Sequence, residues 1–323
     1  MRVLLTGMTG FLGSHVAHAL LAAGHEVTAL VRPQSIPTVS PQLSAVGVFP
    51  GDVTDPPTID RAVRGCEAVI HVAGVVAFAP GAAERQREIN VEGTRHVLEA
   101  ARAGGVRRMV HTSSVAAIGR PAPNGVADEE TRYDWPPGLP YNETKRDSER
   151  LVRRAEGIET VCLNPSLVFG PGEVYRRTLT LFRLVKYGLL PLVPPGGTTL
   201  CDVRDVAEAH VAALTRGEPG ARYITGGPHL TFRQLATEIA AVTNGARPMA
   251  ELPAGLVRAA TLPLAALERV GVPLPVSIGN VAYLTNYGYY SSERAIAALG
   301  YRTRTASETL GDAARWYAST GSL

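Results

Sequence analysis

The sequence predicts an α/β protein built on a doubly wound parallel sheet, with a smaller mixed lobe toward its C-terminal end. Three observations carry that expectation. Short apolar runs alternate with longer stretches of helical period through the first half of the chain. A glycine-rich turn follows the first of those runs and opens a helix. After Pro165 the rhythm breaks into pieces rich in proline and glycine, FGPGE and PLVPPGG, set among shorter helical stretches.

The strand candidates are RVLLT (2–6), EVTALV (26–31), VGVFP (46–50), AVIHVA (68–73), RRMVHTS (107–113) and ETVCLN (159–164). Helix candidates lie between them near 11–23, 56–64, 84–103 and 141–156, and later at 203–215, 231–243 and 306–318. The 323 residues suffice for a large core and divide into a first domain, 1–164 with a returning segment near 198–217, and a second lobe formed by the rest of 165–323. There is no internal repeat and no low-complexity tract.

Composition excludes several classes. With 45% hydrophobic and 19% charged residues the chain is neither disordered nor fibrous. A net charge of +3 without a run of five basic residues argues against a nucleic-acid surface. Cys66, Cys162 and Cys201 are far apart with no CxxC spacing, so neither a disulfide framework nor a zinc site is indicated, and a reducing, cytoplasmic home is expected. The N-terminus turns glycine-rich after a very short apolar run, unlike a secretory signal. The most apolar stretch, 255–276, is broken by Arg258, Pro263, Glu268 and Arg269 and cannot span a membrane. It reads as helix and loop on the protein body, or as an apolar rim facing a greasy substrate or a bilayer surface.

The glycine turn, TGMTGFLG, places Gly7, Gly10 and Gly13 between a strand and a helix. Glycine permits close approach of backbone to a pyrophosphate, and the helix start offers amides and a positive dipole end. The spacing is GxxGxxG rather than GxGxxG, but the strand-turn-helix context points to a dinucleotide. The second strand ends in ALVRPQS, with Arg32 and no acidic residue; Glu26 opens that strand at the wrong edge. An acidic side chain there would grip a ribose 2′-hydroxyl, whereas arginine suits a 2′-phosphate, so NADP is favoured over NAD. Arg32 can also be a solvated strand-end residue. Asp52, after the third strand, either accepts from an adenine amino group or caps the following helix.

Only two of the 32 basic residues are lysines, Lys145 and Lys186. In YNETK, Tyr141 and Lys145 stand one helical turn apart. A phenol of pKa about 10 becomes an acid/base group near neutrality when a cation favours its phenolate. A slim ammonium supplies that field and can also grip ribose hydroxyls, a poor task for a planar guanidinium. The same spacing also arises on solvated helix faces. HTSSVAAIG (111–119) brings Ser113 and Ser114 to the carboxyl end of the fifth strand, the edge where ligands of such sheets bind. A serine there can hold a substrate carbonyl oxygen, or can simply make a turn. His15, His18 and His71 form no metal-ligand pattern and are taken as structural.

With these motifs in hand, and with HVAG (71–74), NVEGT (90–94), NPSLVFGPG (164–172) and DVRDVAEAH (202–210), the chain resembles an extended short-chain dehydrogenase/reductase of the dihydroflavonol reductase-like and epimerase-like branch, with a Rossmann-type fold. The resemblance spans nearly the whole chain. It implies Ser114 as the catalytic serine, Tyr141 as acid/base, Lys145 as its partner and Asn90 as support for the active-site helix, although an asparagine near a helix start can equally be a cap. It implies a cofactor groove made by Gly7, Thr9, Gly10, Phe11, Leu12, Gly13, Arg32, Asp52, Val53, Ala73, Gly74 and Thr112, with Tyr141, Lys145, Pro165 and Ser166 toward the nicotinamide. Homodimerisation through the helices bearing Asn90 and Tyr141 is also implied.

The departures narrow the chemistry. Sugar dehydratases of this superfamily carry Asp-Glu after the catalytic hydroxyl residue; here Val115 and Ala116 follow Ser114. Nucleotide-sugar epimerases place an arginine a few residues before the DVRDVA motif, where this chain has GGTTLC. The expectation is an NADPH-dependent carbonyl reductase acting on an apolar small molecule, with Phe78, Ser114, Trp135 and Leu167 lining the pocket. An epimerase that retains NAD and a non-catalytic dinucleotide-binding scaffold are the alternatives.

Overall fold

The computed structural model describes residues 1–77, 81–123, 125–174, 178–253, 255–257, 259 and 286–323. The strands of the first half are β1 (Arg2–Thr6), β2 (Glu26–Val31), β3 (Gly47–Pro50), β4 (Ala68–His71), β5 (Arg108–Thr112) and β6 (Glu159–Pro165). Later come β7 (Leu167–Phe169), β8 (Leu192–Val193), β9 (Gly197–Asp202), β10 (Arg222–Thr225), β11 (His229–Thr231), β12 (Ala250–Glu251) and β13 (Tyr287–Gly288). The helices are α1 (Phe11–Ala22), α2 (Pro56–Ala62), α3 (Ala82–Arg87), α4 (Gly93–Ala103), α5 (Pro140–Arg153), α6 (Leu179–Lys186), α7 (Val203–Ala212) and α8 (Phe232–Thr243), then α9 (Glu293–Leu299) and α10 (Ala306–Ser319).

Seven parallel strands form the main sheet in the order β10-β6-β5-β4-β1-β2-β3. Both faces are buried, and successive residues feed opposite layers. On β1, Val3 and Leu5 join α1, α7 and α9 in one core, while Leu4 joins α2, α4 and α5 in the other. Each fully buried leucine of this kind stabilises the fold by about 2 kcal/mol. The strand order reverses between β1 and β4, which opens a crevice at their carboxyl ends.

A third core is built from Phe169, α6, α8 and α10. Beside it β9 pairs with β7, β11 and β13, and β12 pairs with β8. Its helices start where sequence chemistry marks them: Thr231 with Gln234 and Thr305 with Glu308 are capping boxes, and the Asp202 side chain caps α7.

Three features differ from the sequence expectation. The main sheet has a seventh strand, β10, reached only after the chain has laid down β7 to β9 and α7. The single helix expected over 84–103 is α3, a π turn over Glu88–Glu92, and α4. The helix expected to reach 156 ends at Arg153, ahead of Gly157 with its φ of +76°. Most of 255–276, and the pocket candidate Phe78, lie outside the described residues.

Candidate active site

The glycine turn is dictated by lack of space. Gly7 has φ +79°, and a Cβ on it would lie 2.6 Å from the amide nitrogen of Ala73. A Cβ on Gly13 would sit 2.0 Å from the Gly7 carbonyl oxygen. That carbonyl accepts from the Gly10 amide (3.0 Å), which turns the chain into α1. No side chain caps α1 and no acidic residue stands in its first turn. Its amides and dipole therefore face the crevice without a protein anion. Thr9 and Phe11 flank this turn, and Leu12 packs down onto the core.

The two sides of the crevice are laced together by a neutral histidine. His71 is fully buried, and burial, helped by the Lys145 charge, pushes its pKa down to about 3. Its Nε2 lies 3.0 Å from Thr94 Oγ1, whose hydroxyl donates to the Asn90 carbonyl (2.7 Å). Thr94 must then accept from Nε2–H, and the Nδ1 of His71 accepts from the Thr6 hydroxyl at 2.7 Å. Thr6 Oγ1 in turn accepts from the Ala73 amide (3.2 Å). One tautomer thus ties the ends of β1 and β4 to the π turn.

Asn90 sits in that π turn, buried. Its side chain brackets Val75, accepting from the amide at 2.7 Å and donating to the carbonyl at 2.9 Å, and it also donates to Thr144 Oγ1 on α5 (3.3 Å). It is not a helix cap. The extra residue of a π turn re-aims one side chain, and here that side chain is Asn90.

Lys145 meets the same place from α5. Its Nζ donates to the Thr112 carbonyl (2.9 Å), and a Cβ on Gly74 would lie 3.4 Å from Nζ and 3.3 Å from Asn90 Oδ1. Gly74, Asn90 and Lys145 therefore converge beside the end of β4. Burial lowers the Lys145 pKa to about 8 against the opposing pull of Glu149. The Thr112 hydroxyl donates to His210 Nε2 (2.7 Å), because His210 Nδ1–H is directed at the Val206 carbonyl (2.8 Å).

Tyr141, half-buried, occupies the first turn of α5 behind Pro140, one turn before Lys145. That helix packs on the tight turn Val115–Ala117, which Ser114 caps by accepting from the Ala116 amide (3.2 Å). The Ser114 carbonyl accepts from Asn164 Nδ2 (3.0 Å). Tyr141, Ser114 and Lys145 thus stand around the carboxyl end of β5.

The remaining positions fall where the sheet directs them. Arg32, exposed at the end of β2, donates to Ser35 Oγ (3.4 Å) and has no carboxylate partner among the described residues. Asp52 accepts from the amide and hydroxyl of Thr54, each at 3.0 Å, while Asp55 is the residue that precedes α2. Asp52 therefore closes a local turn and does not cap the helix. Val53 is buried against Gly93, where a Cβ would come within 2.9 Å of it. Pro165 is buried at the end of β6, and Ser166 lies near Gly226. Trp135, half-buried, donates to the Ile118 carbonyl (2.8 Å) below the Arg120 guanidinium, and Leu167 is 40% exposed.

The sequence pattern of the NAD dependent epimerase/dehydratase family matches residues 3–226, from β1 to the residue after β10. The chain belongs to this family. As a member of the NAD dependent epimerase/dehydratase family, within the extended short-chain dehydrogenase/reductases, it is an NAD(P)-dependent oxidoreductase acting on CH–OH and C=O groups. It is 30% identical over 331 residues to sterol demethylase protein B of Methylococcus capsulatus, covering 100% of both chains. It is 33% identical over 261 residues to the 2-alkyl-3-oxoalkanoate reductase of Stenotrophomonas maltophilia, covering 76% of this chain and 77% of that one. The crystal structure of Thermus thermophilus UDP-glucose 4-epimerase in complex with NAD superposes with a TM-score of 0.75 at 26% identity, over 98% of this chain and 99% of that one.

Within this family framework, four polar residues, three of them buried and Arg222 half-buried, went unnoticed in the sequence. Glu149, Asn164, Arg222 and His210 all reach the same end of β5 or β6. Glu149 alone left a signal, a carboxylate four residues after Lys145 on a helix.

Proposed function

We propose that the protein is an NADP(H)-dependent carbonyl reductase and alcohol dehydrogenase for an apolar small molecule. The observation that carries this reading is the buried Lys145 ammonium beside Gly74 and Asn90, with Tyr141 one helical turn before it. The crevice fits a dinucleotide: the turn at Gly7 and Gly13 is so tight that a side chain on either would strike backbone atoms, and the α1 amides are uncapped. Gly7 to Gly13 would hold the pyrophosphate, Arg32 a 2′-phosphate, and Lys145 the ribose hydroxyls. When bound, the nicotinamide supplies the hydride for reduction and accepts it in the reverse direction.

The residues of the chain handle the proton. Tyr141 gives its phenolic proton to the carbonyl oxygen as that oxygen gains charge, and it regains a proton from solvent. The Lys145 ammonium stabilises the phenolate left behind, and the Ser114 hydroxyl donates to the substrate oxygen and orients it. Trp135 and Leu167 give that substrate an apolar wall. The name of one relative, a 2-alkyl-3-oxoalkanoate reductase, agrees with a carbonyl on an alkyl-bearing skeleton, and that of another, a sterol demethylase protein, with an apolar substrate.

The test is a coenzyme-depleted assay with both nicotinamides against aromatic and alicyclic ketones. Tyr141→Phe is expected to lose at least ~100-fold in kcat; full activity in that variant overturns the assignment. Arg32→Asp is expected to reverse a preference for NADPH. A second reading, an epimerase that retains NAD through its turnover, is favoured by the likeness to the NAD-bound epimerase. Release of stoichiometric NAD on denaturation would support it over reduction.

A further inference from the structure

Glu149 is a buried carboxylate on α5, one turn beyond Lys145 and on the same face. Three groups hold it. Asn164 on β6 donates to one oxygen (2.5 Å) while its second N–H goes to the Ser114 carbonyl (3.0 Å). Arg222 on β10 donates to the other oxygen (2.8 Å) and is itself fixed by the Glu129 carbonyl (2.9 Å). Arg153 on α5 approaches to 3.9 Å. A carboxylate placed so deeply costs desolvation energy, which the half-buried Arg222 guanidinium and the Asn164 amide offset; Lys145, one turn earlier on the same face of α5, is a further cation beside it.

Other groups pack around Lys145. His71 on β4 and His111 on β5 are held neutral by burial, and burial likewise raises the Cys162 thiol on β6 well above its ordinary range, so none of them is charged near neutrality. Glu149 is the negative charge among the groups that act on Lys145.

We propose that Glu149 is a positioning residue whose carboxylate, pinned by Asn164 and Arg222, is the counter-charge that keeps Lys145 an ammonium at the crevice. The proposal rests on the assignment of Tyr141 and Lys145 given above, but its test needs no turnover. The chain has only two lysines, Lys145 and Lys186, so a sample labelled with 13C at lysine Cε gives two side-chain signals to titrate. The buried signal is expected to titrate near pH 8 in the unaltered protein. In Glu149→Gln its midpoint is expected to fall by at least about one pH unit, a roughly tenfold loss of ammonium above it. Glu149→Asp is expected to restore it, with the Lys186 signal unmoved throughout.

Glu149→Gln strands the Arg222 guanidinium, so the double variant Glu149→Gln/Arg222→Gln is titrated beside it, and thermal melts establish that each is folded. An unchanged Lys145 midpoint in a folded Gln variant overturns the proposal, as does a fall that Asp does not restore. If the unaltered protein reduces no carbonyl compound, the reductase reading fails while the titration still decides the role of Glu149. Where reduction is seen, the alkaline limb of kcat moves to lower pH in Glu149→Gln with KM for the ketone within about twofold.

Discussion

At the scale of single residues, Lys145 combines a stability penalty with a chemical use. Its pKa falls from 10.5 unfolded to about 8 folded because burial disfavours the charge. Between those values the unfolded chain binds more protons than the folded one, so this group makes stability rise with pH over that window. Below about 8 the full penalty applies, at most ~3 kcal/mol. Lys145→Met should therefore stabilise the protein at pH 7 by about 1–2 kcal/mol, after about 1–2 kcal/mol for the orphaned Thr112 carbonyl. The gain should vanish by pH 10.5, and activity should be lost at every pH. Urea unfolding at pH 7, 9 and 10.5 checks the sign. Residues of this kind were unevenly legible. Tyr141, Lys145 and the glycines stand in short local patterns whose spacing survives in the sequence. His71, Asn164 and Arg222 work through partners 65, 50 and 73 residues away, and no local pattern marks such pairings.

At the scale of elements, the turn after β1 sets the tightest steric condition in the crevice. Gly13→Ala must move either α1 or the Gly7 carbonyl, since the added carbon would stand 2.0 Å from that oxygen. It should destabilise the fold by about 2–4 kcal/mol and weaken coenzyme binding at least ~10-fold. Gly24→Ala is the control: its φ of +75° is strained for alanine, but nothing lies within 4 Å, so about 1 kcal/mol is lost and binding is unchanged. Thermal melts and coenzyme titration of the two variants separate strain from obstruction. Most element positions were legible because both sheet faces are covered and each strand reads as an apolar run. The π turn was not, since one extra residue scarcely disturbs helical periodicity. Neither was β10, whose four residues RYIT are too short to stand out from the loops around them.

At the scale of the whole molecule, charged links join the main sheet to the lobe. Arg204 on α7 holds the fully buried Asp202 side chain at 2.6 Å and Asp312 of α10 at 2.7 Å. Burial alone would raise the Asp202 carboxyl, but hydrogen bonds from Arg204 outweigh it and hold the carboxyl below its ordinary value. Stability from this group is present above the unfolded carboxylate pKa and is lost as pH falls through the folded one. Arg204→Met leaves the Asp202 charge buried and short of a partner, and should cost about 3 kcal/mol, read as a lower urea midpoint at pH 7.

The late arrival of β10 bears on how the chain is made. Until Thr225 has emerged from the ribosome, β6 exposes a rim of unpaired backbone groups flanked by buried apolar residues. Chains truncated at residue 218 and released should aggregate and recruit chaperones more than chains truncated at residue 235 and released, which carry β10. The last strand of the main sheet acts as a seal, and its late synthesis prolongs the exposure of that edge.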